Sequence, residues 1–209
     1  MPEIYNQSDL LRTRQFAARD RQDSLSGAQL TRADLRRVDL AGANLSVATL
    51  RDAQLNEADL TGANLRGADL RGADLSGAQM AGTCLEGALL TGAKLTEADL
   101  RDADLNGAHL AEADATRARL DRARLAGATL HQTNLTRASL AAADLRQAKL
   151  LWTNLRQADL SGADLRGATL WWPTLEGATL SAALFEDVEM VGVSEDLAAL
   201  AHGGLMDSE

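Results

Sequence analysis

Two adjacent stretches decide the fold: Ala58-Asp59-Leu60-Thr61-Gly62 and Ala63-Asn64-Leu65-Arg66-Gly67. They are one five-residue unit written twice: a small residue, a polar one, Leu, then two more. The unit extends in both directions without a break. From Leu25 to Met190 every fifth residue is apolar, 34 positions in all, each Leu except Met80, Ala115, Phe185 and Met190. Two residues before each sits a small residue, mostly Ala. From Ala28 to Val188 the exceptions are Val38, Thr83, Thr133, Thr153, Pro173 and Val188.

Ala and Leu are two residues apart, the strand period, so both point to one side and the polar residue between them points away. The last two residues of each unit must turn the chain. Glycine marks where: of 17 Gly, all but Gly203 and Gly204 stand two residues after a Leu position, where a positive φ suits a residue without Cβ. A helix would rotate about 500° over five residues, about 140° net, and smear Leu around its axis. The chain therefore reads as a solenoid whose sides are pentads.

The 209 residues carry 21 Lys and Arg against 30 Asp and Glu, a net charge of −9, with 45% hydrophobic and only 3% aromatic residues. The core must be built from Ala and Leu, and that content excludes a disordered acidic chain. No apolar run approaches the ~20 residues of a membrane span, and residues 1–23 show no signal-like stretch. The single cysteine, Cys84, excludes an internal disulfide framework and suits a reducing compartment, so a cytoplasmic protein is expected. The acidic balance argues against direct nucleic-acid binding.

These pentads resemble the pentapeptide-repeat protein family over about residues 24–190. The resemblance implies an all-β solenoid: a right-handed, four-sided parallel β-helix of about eight coils, 20 residues per coil, with short α-helical caps. At a strand spacing of ~4.8 Å the rod is roughly 40 Å long. Three segments follow: an N-terminal helical cap over 1–23, the repeat β-helix over 24–190, and a C-terminal helical cap and acidic tail over 191–209. Leu10, Leu11 and Phe16 supply the first cap's apolar side, and Ser194 is a candidate N-cap before Leu197 and Leu200. Some family members pair through the C-terminal region, which implies a homodimer there.

No constellation for catalysis is evident. His109, His131 and His202 do not join a carboxylate or thiol at ligand spacing, so no metal or cofactor is expected. Every repeat Gly is a turn residue, not a phosphate cradle. Asp39 with Asp59, and Asp144 with Asp164, would stack one coil apart. They carry the enzyme alternative, a carbohydrate-acting β-helix, but they also occupy the ordinary polar slot. Thr133 and Thr153 fill inward slots one coil apart, where their hydroxyls could stack. A second alternative comes from family members that imitate duplex DNA and bind type II topoisomerases such as gyrase. Against it, residues 24–185 hold 17 basic and 19 acidic side chains, a net of −2. Duplex DNA carries about 24 charges over the same length.

The outward feature that stands apart is aromatic. Trp152 and Trp172 are 20 residues apart, as are Leu151 and Trp171, so the four stack on one side of the rod, bordered by Lys149 and His131. Trp at an exposed surface is a hot-spot residue. Leu151, Trp152, Trp171 and Trp172 are the candidate partner-binding residues of a non-enzymatic protein-interaction scaffold or regulatory binder. The competing reading folds the apolar side of residues 195–201 over them.

Overall fold

The computed structural model describes residues 25–194; the helical cap expected over 1–23 and residues 195–209 of the one expected over 191–209 lie outside them, while Val191 is a strand residue. Parallel bridges pair each residue of the polar slot with the one 20 further on. Gln29 pairs with Thr49, Asp34 with Gln54, Asp39 with Asp59 and Asn44 with Asn64. Four such bridges follow one another before the register repeats, so four pentads make one coil. The period of five left the number of sides open in the residues alone, and the bridges set it at four. We number the sides by their core residues: side 1 runs through Leu45 and Leu65, side 2 through Leu50 and Leu70, side 3 through Leu55 and Leu75, side 4 through Leu60 and Met80.

Most pentads are held by the same set of bonds. The Leu25 carbonyl accepts the Ala28 amide at 3.0 Å and closes the turn. The Gly27 and Leu30 amides donate to the next coil, to Ser46 and Thr49 carbonyls, and the Thr49 amide donates back to Ala28. One amide per unit, that of the residue after Leu, lacks a backbone acceptor. Its partner is the polar slot. Asp39 Oδ1 accepts the Ala41 amide at 3.0 Å, and Asp59 Oδ1 accepts that of Thr61 at 2.9 Å. The same bond forms at every Asp and Asn in that slot from Asp34 to Asp164. These residues are frequent there because they satisfy a donor that the ladder leaves over.

The second residue after each core position has a positive φ at all 34 corners, 15 of them Gly and 19 not. Side chains at the non-Gly corners cost about 1–2 kcal/mol each in this region. Many recover part of it by pairing along the corner, as in Arg37 with Glu57 at 2.7 Å and Arg122 with Asp102 at 2.7 Å. Val47, β-branched, at φ 51° and 62% exposed, has no such return.

Inside, the Ala and Leu slots from Leu45 to Leu170 are buried, Ala115 included. Thr83, Thr133 and Thr153 are buried too, but their hydroxyls do not stack on one another. Each donates to a Leu carbonyl 23 residues back, Thr133 to Leu110 at 2.7 Å and Thr153 to Leu130 at 2.7 Å. A buried hydroxyl needs a partner, and the second lone pair of the Leu carbonyl supplies one beside its turn bond.

Only at the C-terminal end of side 2 do the described residues form strands longer than one bridge: β1 (Lys149–Leu151), β2 (Thr169–Trp171) and β3 (Glu189–Val191). They make one parallel sheet in the order β1-β2-β3, with Leu151 opposite Trp171 and Trp171 opposite Val191. Pro173 follows β2 and has no N–H to close a turn on Leu170.

Candidate partner-binding surface

The sheet positions the aromatic cluster. Leu151 and Trp171 are strand residues one coil apart, and both are half-buried. Trp152 and Trp172 stand at the corner beside them, with φ of 52° and 48°, each 48% exposed. Their amides donate to the Trp171 and Val191 carbonyls, both at 2.7 Å, so the ladder fixes where the rings start. The Trp152 and Trp172 rings stack with centroids 5.6 Å apart and planes 8° from parallel. Trp171 meets Trp172 edge-on at 6.3 Å, and His131 meets Trp152 edge-on at 5.1 Å. Gly192 finishes the column. A Cβ there would lie 2.2 Å from Cδ1 of Trp172, so only Gly lets the ring settle over the chain.

All four residues picked from their 20-residue spacing thus come together. His131, at the border by spacing, is in edge contact with Trp152; Gly192, next in the column, is the floor under Trp172, and Val191, 38% exposed, continues the Leu151–Trp171 column. The same 20-residue spacing marks Val191 and Gly192 in the sequence. Among the described residues the indole N–H of Trp171 is buried and finds no hydrogen-bond partner. An unmade bond of this kind costs about 1–3 kcal/mol. The Trp152 and Trp172 rings face each other and are both half-exposed, so the column forms an apolar ridge along the rod.

The remaining candidates are occupied by structural duties. Five units read Asp-Leu-Arg, and in each the Arg bonds the Asp with its own backbone amide and with its guanidinium. Asp69, Asp99, Asp144 and Asp164 do so with Arg71, Arg101, Arg146 and Arg166. The fifth, Asp34 with Arg36, is held at a pKa of about 2 by that Arg and its amide. The Arg146 and Arg166 guanidiniums also keep the Asp144 and Asp164 carboxyls below the usual range, the opposite of what a general acid requires. Arg124 lies between Asp104 and Asp144 in the ladder and pairs with Asp104 at 3.3 Å. A shallow groove on side 3 is lined by Arg117, Arg137 and Arg156. They are engaged by Glu97, Gln157 and Glu176 respectively. Cys84 is half-buried in the polar slot between Asn64 and Asp104. Among the described residues no group of three or more His, Cys, Asp or Glu is placed to hold a metal ion, and no helix is long and apolar enough to cross a membrane.

Fold and surface together define a non-globular class: a parallel β-solenoid of uninterrupted five-residue repeats whose variable chemistry is all on the outside. The chain belongs to the pentapeptide-repeat family. The family model for pentapeptide repeats matches eight copies, over residues 24–62, 53–92, 93–132, 123–162 and 133–171. Among solved structures it is similar to HetL, a pentapeptide repeat protein involved in heterocyst differentiation regulation from the cyanobacterium Nostoc sp. strain PCC 7120. The identity is 33% over 89% of this chain and 97% of HetL, with a TM-score of 0.57. A thylakoid-lumen pentapeptide repeat protein from Arabidopsis thaliana is 28% identical over 53% of this chain and 74% of its own, TM-score 0.48. QnrB1, a plasmid-mediated fluoroquinolone resistance protein, is 18% identical over 74% of this chain and 95% of its own, TM-score 0.35. No curated protein sequence matches the chain.

Proposed function

We propose that this protein is a non-enzymatic regulatory binder: a rigid rod that presents Leu151, Trp152, Trp171 and Trp172 to a protein partner. The observation that carries the reading is the half-exposed Trp152–Trp172 stack on corners whose own amides are tied to the next coil. A preordered aromatic surface loses little entropy on binding. Likeness to HetL, named for its part in differentiation regulation, supports a regulatory role. The cytoplasm is its proposed compartment.

The topoisomerase-binding alternative gains little from the charge pattern. Arg and Asp or Glu alternate along the corners and within the Asp-Leu-Arg units, so the rod offers mixed ladders in place of an anionic stripe. The test is affinity capture from host lysate with three folded baits: wild type, Trp152→Ala/Trp172→Ala, and Arg137→Ala on side 3. The reading expects a partner held by wild type and by Arg137→Ala but lost by the double Trp variant. Equal capture by all three overturns it.

A further inference from the structure

The aromatic ridge ends at a sheet edge that no described residue pairs, and the two together point to a specific kind of ligand. Along side 2 the core residue and the corner residue donate their amides to the next coil: Leu130 to Lys149, Gln132 to Leu151, Trp152 to Trp171, Trp172 to Val191. The carbonyl two residues before the core position accepts in return, as Ala168 accepts the Glu189 amide at 2.9 Å. At β3 the same alternation turns the Met190 and Gly192 amides and the Val188 carbonyl off the end of the ladder. No described residue faces them. Such a row is a template for one more strand.

Chemistry around the edge selects what would pair with it. Residues 174–194 contain Glu176, Glu186, Asp187 and Glu189 and no Lys or Arg. Glu176 is taken by Arg156, and the other three are exposed with no ion pair among the described residues. Residues 195–209 hold Glu195, Asp196, Asp207 and Glu209, again with no Lys or Arg. Like charges therefore oppose both this segment and the same end of a second copy as occupants. Side-chain alternation sets the rest. A residue laid over Met190 points inward onto a half-buried core position, its neighbour over Glu189 points out beside a carboxylate, and the one over Val191 extends the apolar column.

We infer that the C-terminal edge of side 2 binds an extended partner segment of the pattern basic–apolar–apolar, added as a parallel strand on β3. This deepens the interaction reading above and rests on it. β1 itself has the pattern, Lys149-Leu150-Leu151, and already pairs in this register with β2.

That gives the probe. A fluorescein-labelled peptide with the sequence of residues 146–154, Arg-Gln-Ala-Lys-Leu-Leu-Trp-Thr-Asn, is titrated with the full chain and followed by anisotropy. Two controls change one thing each. One has Glu in place of the Arg and Lys. The other is N-methylated at the Lys amide, the donor that would meet the Val188 carbonyl. We expect saturable binding of the parent peptide, at least tenfold weaker binding of both controls, and reversal of the charge preference in a Glu186→Lys/Glu189→Lys variant. Equal affinity for the N-methylated peptide overturns strand addition, and so does absence of binding by the parent. Either failure leaves the lysate capture to judge the regulatory-binder reading separately, since that assay scores the Trp ridge and not the edge.

Discussion

The middle of the rod and the C-terminal end of side 2 share the coil-to-coil ladder and differ in their turns and in what faces solvent. In the middle, many corners carry Gly or paired charges, such as Asp102 with Arg122, and every side contributes a single bridging residue per coil. At the end, the corners carry stacked indoles and the backbone straightens into three-residue strands. The inward Ala and Leu slots are alike in both. The two inward positions of each unit build the core, while the outward three combine turn duties with the variation that gives each region its surface.

The sharpest contrast should come from the core. Leu110→Ala, in the fully packed middle, is expected to lower stability by about 2–5 kcal/mol. Leu175→Ala, at a half-buried slot near the end, should cost less than half as much. Chemical denaturation monitored by circular dichroism measures both, and equal losses would erase the distinction between the regions.

Glycine corners give the next largest effect. Gly192→Ala drives a Cβ into the Trp172 ring, so the ring must move, and the near-ultraviolet Trp signal should change along with stability. Gly127→Ala meets nothing within 4 Å and carries only the strain of φ 68°, about 1 kcal/mol. The reverse substitution, Val47→Gly, should stabilise by about 0.5–1 kcal/mol, because it relieves strain at an exposed side chain. Thr133→Val removes one buried hydroxyl bond for about 1 kcal/mol, since the Leu110 carbonyl keeps its turn bond from Ala113.

The smallest effect is on pH dependence. In the Asp-Leu-Arg units the folded carboxyls titrate below the unfolded value of ~3.9. Their stabilisation is therefore complete above about pH 4 and is lost as pH falls toward the folded values, about 2 for Asp34. Changing Arg36, Arg101 and Arg146 to Gln should move the acid-unfolding midpoint to higher pH. An unchanged midpoint would show that these pairs are too well solvated to matter.

Much of this was legible in the residues. Period five fixed the strand-and-turn unit, the inward Ala and Leu, and the positive-φ corner, because each follows from a local rule. The 20-residue spacing of Trp152 and Trp172 brought the ridge together once four sides were assumed. What the sequence did not show was geometry that depends on neighbouring coils. The Thr133 hydroxyl chose a carbonyl over Thr153. The amide after each Leu proved to be the reason for Asp and Asn in the polar slot. At β1 to β3 the usual turn bond onto the core carbonyl is missing, after Leu150 with Thr153 as well as after Leu170 with Pro173, and no residue pattern announces that.

The account's central claim is that the ridge is an accessible surface. Acrylamide quenching of Trp fluorescence in a Trp171→Phe variant of the full chain tests it most directly, because only Trp152 and Trp172 then report. The account predicts quenching near that of a half-exposed indole and an emission maximum shifted to the red. Strong protection with a blue-shifted maximum would mean that residues 195–209, or another copy, already cover the ridge, and would contradict it.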